Sequence, residues 1–254
     1  SSASLSEWSE PALMFTAVDG ANNPQPITAP LSSAFNDKGQ HIVLFGTGSY
    51  MFVGDNEVPR SPQVQSFYGL IDSGTTAITR SELLAQRILS EQTAGSFRGR
   101  TISNNTLTNQ RGWYLDLAWT SGAGATGAAG ERVVSKPTLR SDRVTFTTLI
   151  PSSNPCAAGG SSWVMSLSLS SGSRLNYTYF DTNKDGNLNG DDDVGTGNDK
   201  LPVSGINDGD AGVIKGVTTL ISWWCYSGSS GAAPTCIKRP SSQRYGRNAW
   251  QEAR

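Results

Sequence analysis

Residues 112–119, GWYLDLAW, alternate without a break. Trp113, Leu115, Leu117 and Trp119 fall on one side of an extended chain, and Tyr114, Asp116 and Ala118 on the other. A period of two belongs to a strand with one buried face and excludes a helix. The pattern recurs. In RVTFTTLI (143–150), Val144, Phe146, Thr148 and Ile150 share a side, and Pro151 ends the run. In the next unit Trp163, Met165, Leu167 and Leu169 share a face, SSGS (170–173) reads as a turn, and Leu175, Tyr177 and Tyr179 share a face on the way back. That unit predicts a β-hairpin. HIVLFGTGSYMFV (41–53) predicts a buried strand, a glycine turn and a second strand, and VQSFYGLID (64–72) a further strand. AGVIKGVTTLISWW (211–224) predicts one or two more. TRSELLAQRIL (79–89) is ambiguous; Thr79 and Glu82 at capping-box spacing and Leu84 four before Ile88 leave a short helix as one reading.

No βαβ alternation appears, so the expected class is all-β and antiparallel. A sandwich, a barrel and part of a propeller all remain open. The 254 residues suit one large domain, 1–254. Charged residues make up only 16 % and the net charge is −1, so neither nucleic acid nor an anionic membrane is an expected partner. No apolar run is long enough to span a bilayer. No signal peptide is present. The opening SSASLSEWSE reads as the middle of something, so an export segment is expected outside these residues.

Cys225 and Cys236 flank a loop of small residues and, in a chain of secreted composition, predict a disulfide; two free thiols are the alternative. Cys156 is left over, free or paired beyond this sequence. Trp223 and Trp224 are adjacent and must point to opposite faces of a strand, each either core or platform. His41, the one histidine, reads as a core or strand-edge residue. No nucleophile–base pair, GxSxG or phosphate-binding loop appears, so an enzyme is not expected.

The chemistry concentrates in DTNKDGNLNGDDD, residues 181–193. Counting from Asp181, oxygen side chains fall at loop positions 1, 3 and 5 (Asp181, Asn183, Asp185). Gly186 stands at position 6, Asn187 offers a carbonyl at 7, Asn189 falls at 9 and Asp192 at 12. This is the spacing of an EF-hand-like calcium loop, with Asp in place of the last Glu. A solvated acidic turn is the bland alternative, since Asx residues favour turns unaided. Five aspartates with only Lys184 nearby repel one another unless a cation offsets them. Ca2+ is therefore the expected ion, ahead of magnesium, which keeps its waters. Neither flank is helical, so the loop is expected on the end of the β-hairpin, ordering a surface loop without activating water.

Several stretches occur together and in order: QPITAP (25–30), VLFGTGSYM (43–51), QSFYGLID (65–72), RGWYLDL (111–117), GERVVSKP (130–137), RVTFTTLIPSSNPC (143–156), GGSSWVMSLSLSSG (159–172) and the acidic loop. Together they resemble the C-terminal region of the PilY-type type IV pilus tip adhesins, related to the PilC adhesins. GRNAWQEA (246–253) resembles the family's terminal pattern loosely, departing at Ala249 and Gln251. The resemblance implies a modified β-propeller, or its C-terminal blades, that binds calcium through Asp181, Asn183, Asp185, Asn187 and Asn189; Asp192 is added from the loop spacing. It implies an exported, extracellular protein at the pilus tip, resting on minor pilins. Such proteins act in pilus assembly, oppose retraction, and serve twitching motility, surface sensing and adhesion to host or abiotic surfaces. FRGRT (97–101) is not an Arg-Gly-Asp motif, so integrin binding does not carry over. The rival reading is a secreted calcium-dependent carbohydrate-binding β-domain.

Overall fold

The computed structural model describes residues 12–74, 77–119, 127–220 and 222–240. The opening stretch, residues 120–126 of the glycine-rich loop and the tail with Trp250 lie outside the described residues. In chain order the first strands are β1 (Ser32–Phe35), β2 (His41–Gly46), β3 (Ser66–Ile71), β4 (Leu84–Gln86), β5 (Ile88–Ala94), β6 (Phe97–Ile102), β7 (Gly112–Asp116), β8 (Ala118–Trp119) and β9 (Gly127–Ala128). They are followed by β10 (Thr138–Arg140), β11 (Arg143–Thr147), β12 (Ile150–Pro151), β13 (Gly160–Ser161), β14 (Trp163–Ser168), β15 (Gly205–Asn207), β16 (Thr218–Leu220), β17 (Trp223–Tyr226) and β18 (Thr235–Lys238). Helical structure among the described residues is limited to single 3-10 turns, and no helix there is long and apolar enough to cross a membrane.

Three sheets stack face to face. The first has the order β1-β2-β3-β7-β4, antiparallel except for β4 against β7. The second runs β10-β11-β14-β15-β6-β5, and the third β16-β17-β18. Between the first two lies a core of Ile42, Leu44, Phe67, Trp113 and Leu115 against Ile102, Val144, Phe146, Met165 and Leu167. The Phe67 and Phe146 rings stack across it, with centroids 3.9 Å apart. Behind the second sheet, Val164 and Ile206 meet Tyr179, Phe180, Trp224 and Ile237 of the third sheet and its surroundings. On the outer side of the first sheet, Phe45, Tyr68 and Leu70 pack on Ile78 and Leu83. Strands β3 and β14 are thus covered on both faces, which is why their sequences carry apolar residues in both parities.

Trp113 depends on two residues without side chains. Its indole Nε1 donates to the Leu169 carbonyl at 3.0 Å. A Cβ on Gly69 would stand 2.5 Å from the indole, and one on Gly172 would stand 2.1 Å from it. Gly172 also has φ +68°, a conformation that costs an L side chain. Gly172→Ala should therefore lower the unfolding free energy by about 1–3 kcal/mol, measured by urea denaturation at unchanged slope.

Trp113, Leu115, Leu117 and Trp119 all face the core as expected, but the run is two strands, β7 and β8, in different sheets. Val144 and Phe146 also enter the core, yet β11 ends at Thr147 and residues 143–149 are buried on both sides. Cys225 and Cys236 form a disulfide, S–S 2.02 Å, on directly paired positions of β17 and β18. Cys156 is exposed and free among the described residues. Trp224 is buried and Trp223 is half exposed, with the Lys238 ammonium 5.0 Å from its ring. His41 is neither core nor on an edge strand: it is the half-exposed first residue of β2, an inner strand, with Nδ1 3.8 Å from Asp72.

Three expectations are corrected. Residues 163–179 are not a hairpin. β14 pairs with β11 on one side and β15 on the other, so no edge is left for the returning chain. Residues 175–179 keep the expected inward faces but form no ladder. Residues 47–53 do not form a second strand. The Asp55 carboxylate takes the N–H groups of Met51 (2.7 Å) and Phe52 (3.0 Å), bonds that a ladder would need, and curls the segment into an exposed turn. The ambiguous segment 79–89, for which a short helix is one reading, holds one 3-10 turn, Arg80–Glu82, with Glu82 accepting from the Thr79 N–H at 2.7 Å. Beyond it Leu84 joins β4 and Ile88 joins β5, sheet pairing overriding helical spacing.

Candidate metal centre

The 181–193 loop leaves the core behind the buried rings of Tyr179 and Phe180 and is a chain of short Asx bonds. Asn183 Oδ1 accepts from the Asp185 N–H at 2.9 Å, Asp185 Oδ1 from the Asn187 N–H at 2.7 Å, and Asn189 Oδ1 from the Asp191 N–H at 2.7 Å. Each oxygen side chain thereby fixes the backbone two residues on, which coils the loop. Gly186, with φ +81°, makes the sharp turn at position 6.

The two buried acids play different parts. Asp192, 1 % exposed, is a structural anchor. Its Oδ1 takes the N–H groups of Thr182 (2.7 Å) and Asn183 (3.2 Å), and its Oδ2 that of Asn189 (3.2 Å). Asp181 is equally buried, but only its Oδ2 is engaged, by the N–H groups of Gly186 (3.2 Å) and Lys238 (3.3 Å). Its Oδ1 is buried with no hydrogen-bond partner. Burial pushes the Asp181 carboxyl above the ordinary carboxylate range. The charges of Asp192 and Asp185 push the same way, and the Lys238 and Gly186 N–H groups oppose them. Asp193 is also raised by burial and by Asp192, against a hydrogen bond from Thr178.

An orphaned carboxylate oxygen at position 1, in a loop crowded with negative charge, is the arrangement a hard cation would relieve. The donor set fits calcium: Asp181, Asn183, Asp185 and Asn189 offer side-chain oxygens and Asn187 a carbonyl. The carboxylates do not stand converged as a ready cage. Among the described residues, no three acidic, histidine or cysteine side chains gather around one point. Asp185, Asn187 and Asn189 are exposed on the outer turn, Asn183 is half-buried, and Asp181 and Asp192 lie on the inner side.

The loop is stitched to its surroundings by residues the linear pattern does not reveal. The Ser96 N–H, in the β5–β6 turn, donates to the Thr182 carbonyl at 2.8 Å, and the Lys184 ammonium lies 4.7 Å from the Phe97 ring. Thr178 Oγ1 donates to Asp193 Oδ1 at 2.9 Å. The Asp181–Lys238 bond reaches the end of β18, in the disulfide-closed sheet. The loop therefore bridges the second and third sheets. On its far side stand an isolated Val194–Leu201 bridge and one 3-10 turn, Gly197–Asp199, so no EF-hand helix follows.

No family model matches the sequence. A type IV pilus biogenesis factor PilY1 homolog of Xylella fastidiosa is 32 % identical over 249 residues, covering 95 % of this chain and 19 % of that protein. The chain belongs to the PilY1-type pilus factors. The type IV pilus biogenesis factor PilY1 of Pseudomonas aeruginosa is 29 % identical over 213 residues, 76 % of this chain and 18 % of the relative. The chain thus spans under a fifth of the length of these PilY1-type relatives. The crystal structure of the Pseudomonas aeruginosa PilY1 C-terminal domain superposes with a TM-score of 0.72 at 24 % identity, over 89 % of this chain and 48 % of that one. The fold is accordingly that of the PilY1 C-terminal domain, all-β and β-propeller-like.

Proposed function

We propose that this chain is a calcium-binding part of a type IV pilus biogenesis factor, working at the pilus tip outside the cell. The reading rests on its kinship with PilY1-type proteins and on one local observation, the buried and unpartnered Oδ1 of Asp181. Bound there, calcium would supply the positive charge that the loop lacks. Asp181, Asn183, Asp185, Asn187 and Asn189 would hold it, while Asp192 keeps the loop coiled by gathering backbone N–H groups. Through Asp181 and Thr182 the ordered loop would brace the disulfide-closed sheet against the β5–β6 turn. The role is one of binding and bracing, without catalysis. It would present a fixed surface to minor pilins and serve adhesion, twitching motility and control of extension and retraction.

In a bacterium carrying the full-length protein, Asp185→Ala should reduce twitching and weaken recovery of minor pilins with it, at normal export. Asp185 is exposed and its hydrogen bonds run to Asn183 and Asn187 within the loop, so the fold should survive the change. Wild-type twitching by the variant would refute the calcium-dependent role.

A further inference from the structure

We propose that the cleft between the first two sheets is a binding site for a neutral oligosaccharide, separate from the calcium loop and not dependent on its assignment. The cleft has a volume of about 650 Å³ and lies where turns from both sheets converge. The β1–β2 turn forms one wall, and the turn after β14 with residues 175–177 forms the other. Loops held on rigid sheets are where recognition sites form.

The walls are braced before any ligand arrives. Asn36 Oδ1 takes the N–H groups of Lys38 (3.0 Å) and Gln40 (2.8 Å), fixing the first turn. Ser170 Oγ donates to Asp37 Oδ1 at 2.6 Å, tying that turn to the one after β14. The Arg143 guanidinium holds the Tyr177 hydroxyl. Preorganisation of this kind reduces the ordering cost of binding.

Its free groups suit a sugar. The side-chain amides of Asn104 and Asn176 are exposed on the cleft and hydrogen-bond to no described residue. Each carries a donor and an acceptor side by side, which is what adjacent sugar hydroxyls require. Phe35, 70 % exposed with the His41 ring centroid 5.5 Å from its own, brings an aromatic side chain to the mouth, and the half-buried Tyr177 brings another. Sugars lay their C–H faces on such rings. The charges cancel in sign, Asp37 and Asp142 against Lys38 and Arg174, so nothing selects an anionic or cationic ligand. Single exposed aromatics are ordinary on protein surfaces. Two rings, two idle amides and a balanced charge in one braced cleft are a more specific combination.

The test is a panel of neutral gluco-, galacto- and manno-oligosaccharides screened against the chain, followed by titration of the best binder into Phe35→Ala and Asn104→Ala. Both side chains are exposed, so the variants should melt as the wild type does. Each should weaken sugar binding about tenfold or more. The proposal is overturned if no neutral sugar binds at millimolar concentration, if both variants bind it unchanged, or if the cleft selects peptides from a library and no sugar.

Discussion

Arg100→Ala should destabilise the chain by about 3–5 kcal/mol, a larger loss than Gly172→Ala brings. Arg100 is 2 % exposed on β6. Its guanidinium makes a bidentate pair with Glu131, at 2.9 and 2.8 Å, and bonds Glu91 on β5 at 2.7 and 3.0 Å. The Trp163 ring lies 4.0 Å from its Cζ. Both carboxylates are buried as well. Glu131 belongs to the segment whose next residues bond to the Leu149 and Thr47 backbones, so the triad links the second sheet to the first. Truncating Arg100 would leave Glu131 buried without its partner and Glu91 held only by the exposed Arg98, 2.9 Å away, which costs far more than an exposed pair is worth. Changing Glu91 and Glu131 to glutamine in the same background should recover part of the loss. The check is urea denaturation of the single and triple variants. A loss under about 1 kcal/mol for Arg100→Ala would mean that the triad is solvated in solution.

The buried face of 112–119 was legible in the sequence because its period is local: Trp113, Leu115, Leu117 and Trp119 all enter the central core, although the run passes from β7 to β8 at Leu117. The Cys225–Cys236 bridge and the split between Trp223 and Trp224 were legible for the same reason. Arg100 was not. Nothing in FRGRT sets it apart from Arg98, and its partner Glu131 is 31 residues away. The β14 hairpin failed because local alternation says nothing about which neighbours claim a strand's edges. Residues 51–53 failed because one carboxylate, Asp55, outcompetes a ladder. At the candidate site the oxygen spacing was plain, but the two aspartates at its ends differ for reasons of tertiary structure. Asp192 spends its oxygens on backbone N–H groups, whereas Asp181 keeps one idle. The ties through Ser96 and Lys238 come from elements 86 and 57 positions distant in opposite directions and leave no mark in the loop's own sequence.

Calcium should stabilise the loop and both sheets it touches. Extracellular calcium modules bind at about 10⁻⁴–10⁻³ M. At a concentration about 100 times the dissociation constant, binding contributes about 2.7 kcal/mol, or roughly a hundredfold slowing of local opening. The slowing should appear in amide hydrogen exchange at Gly186, Ser96 and Lys238, whose N–H groups bond to Asp181 and Thr182. Sites in the first sheet, such as Leu44, should change little. At the same calcium concentration Asp185→Ala should cut the effect to about 1.4 kcal/mol or less, while costing the calcium-free chain less than about 0.5 kcal/mol, because Asp185 is exposed. The most direct measurement is a calorimetric titration of calcium into the wild-type chain and into Asp185→Ala. The account predicts one ion per wild-type chain and an affinity lower by about tenfold or more in the variant. Identical isotherms from the two proteins, or no binding heat at any site in the wild type, would contradict it.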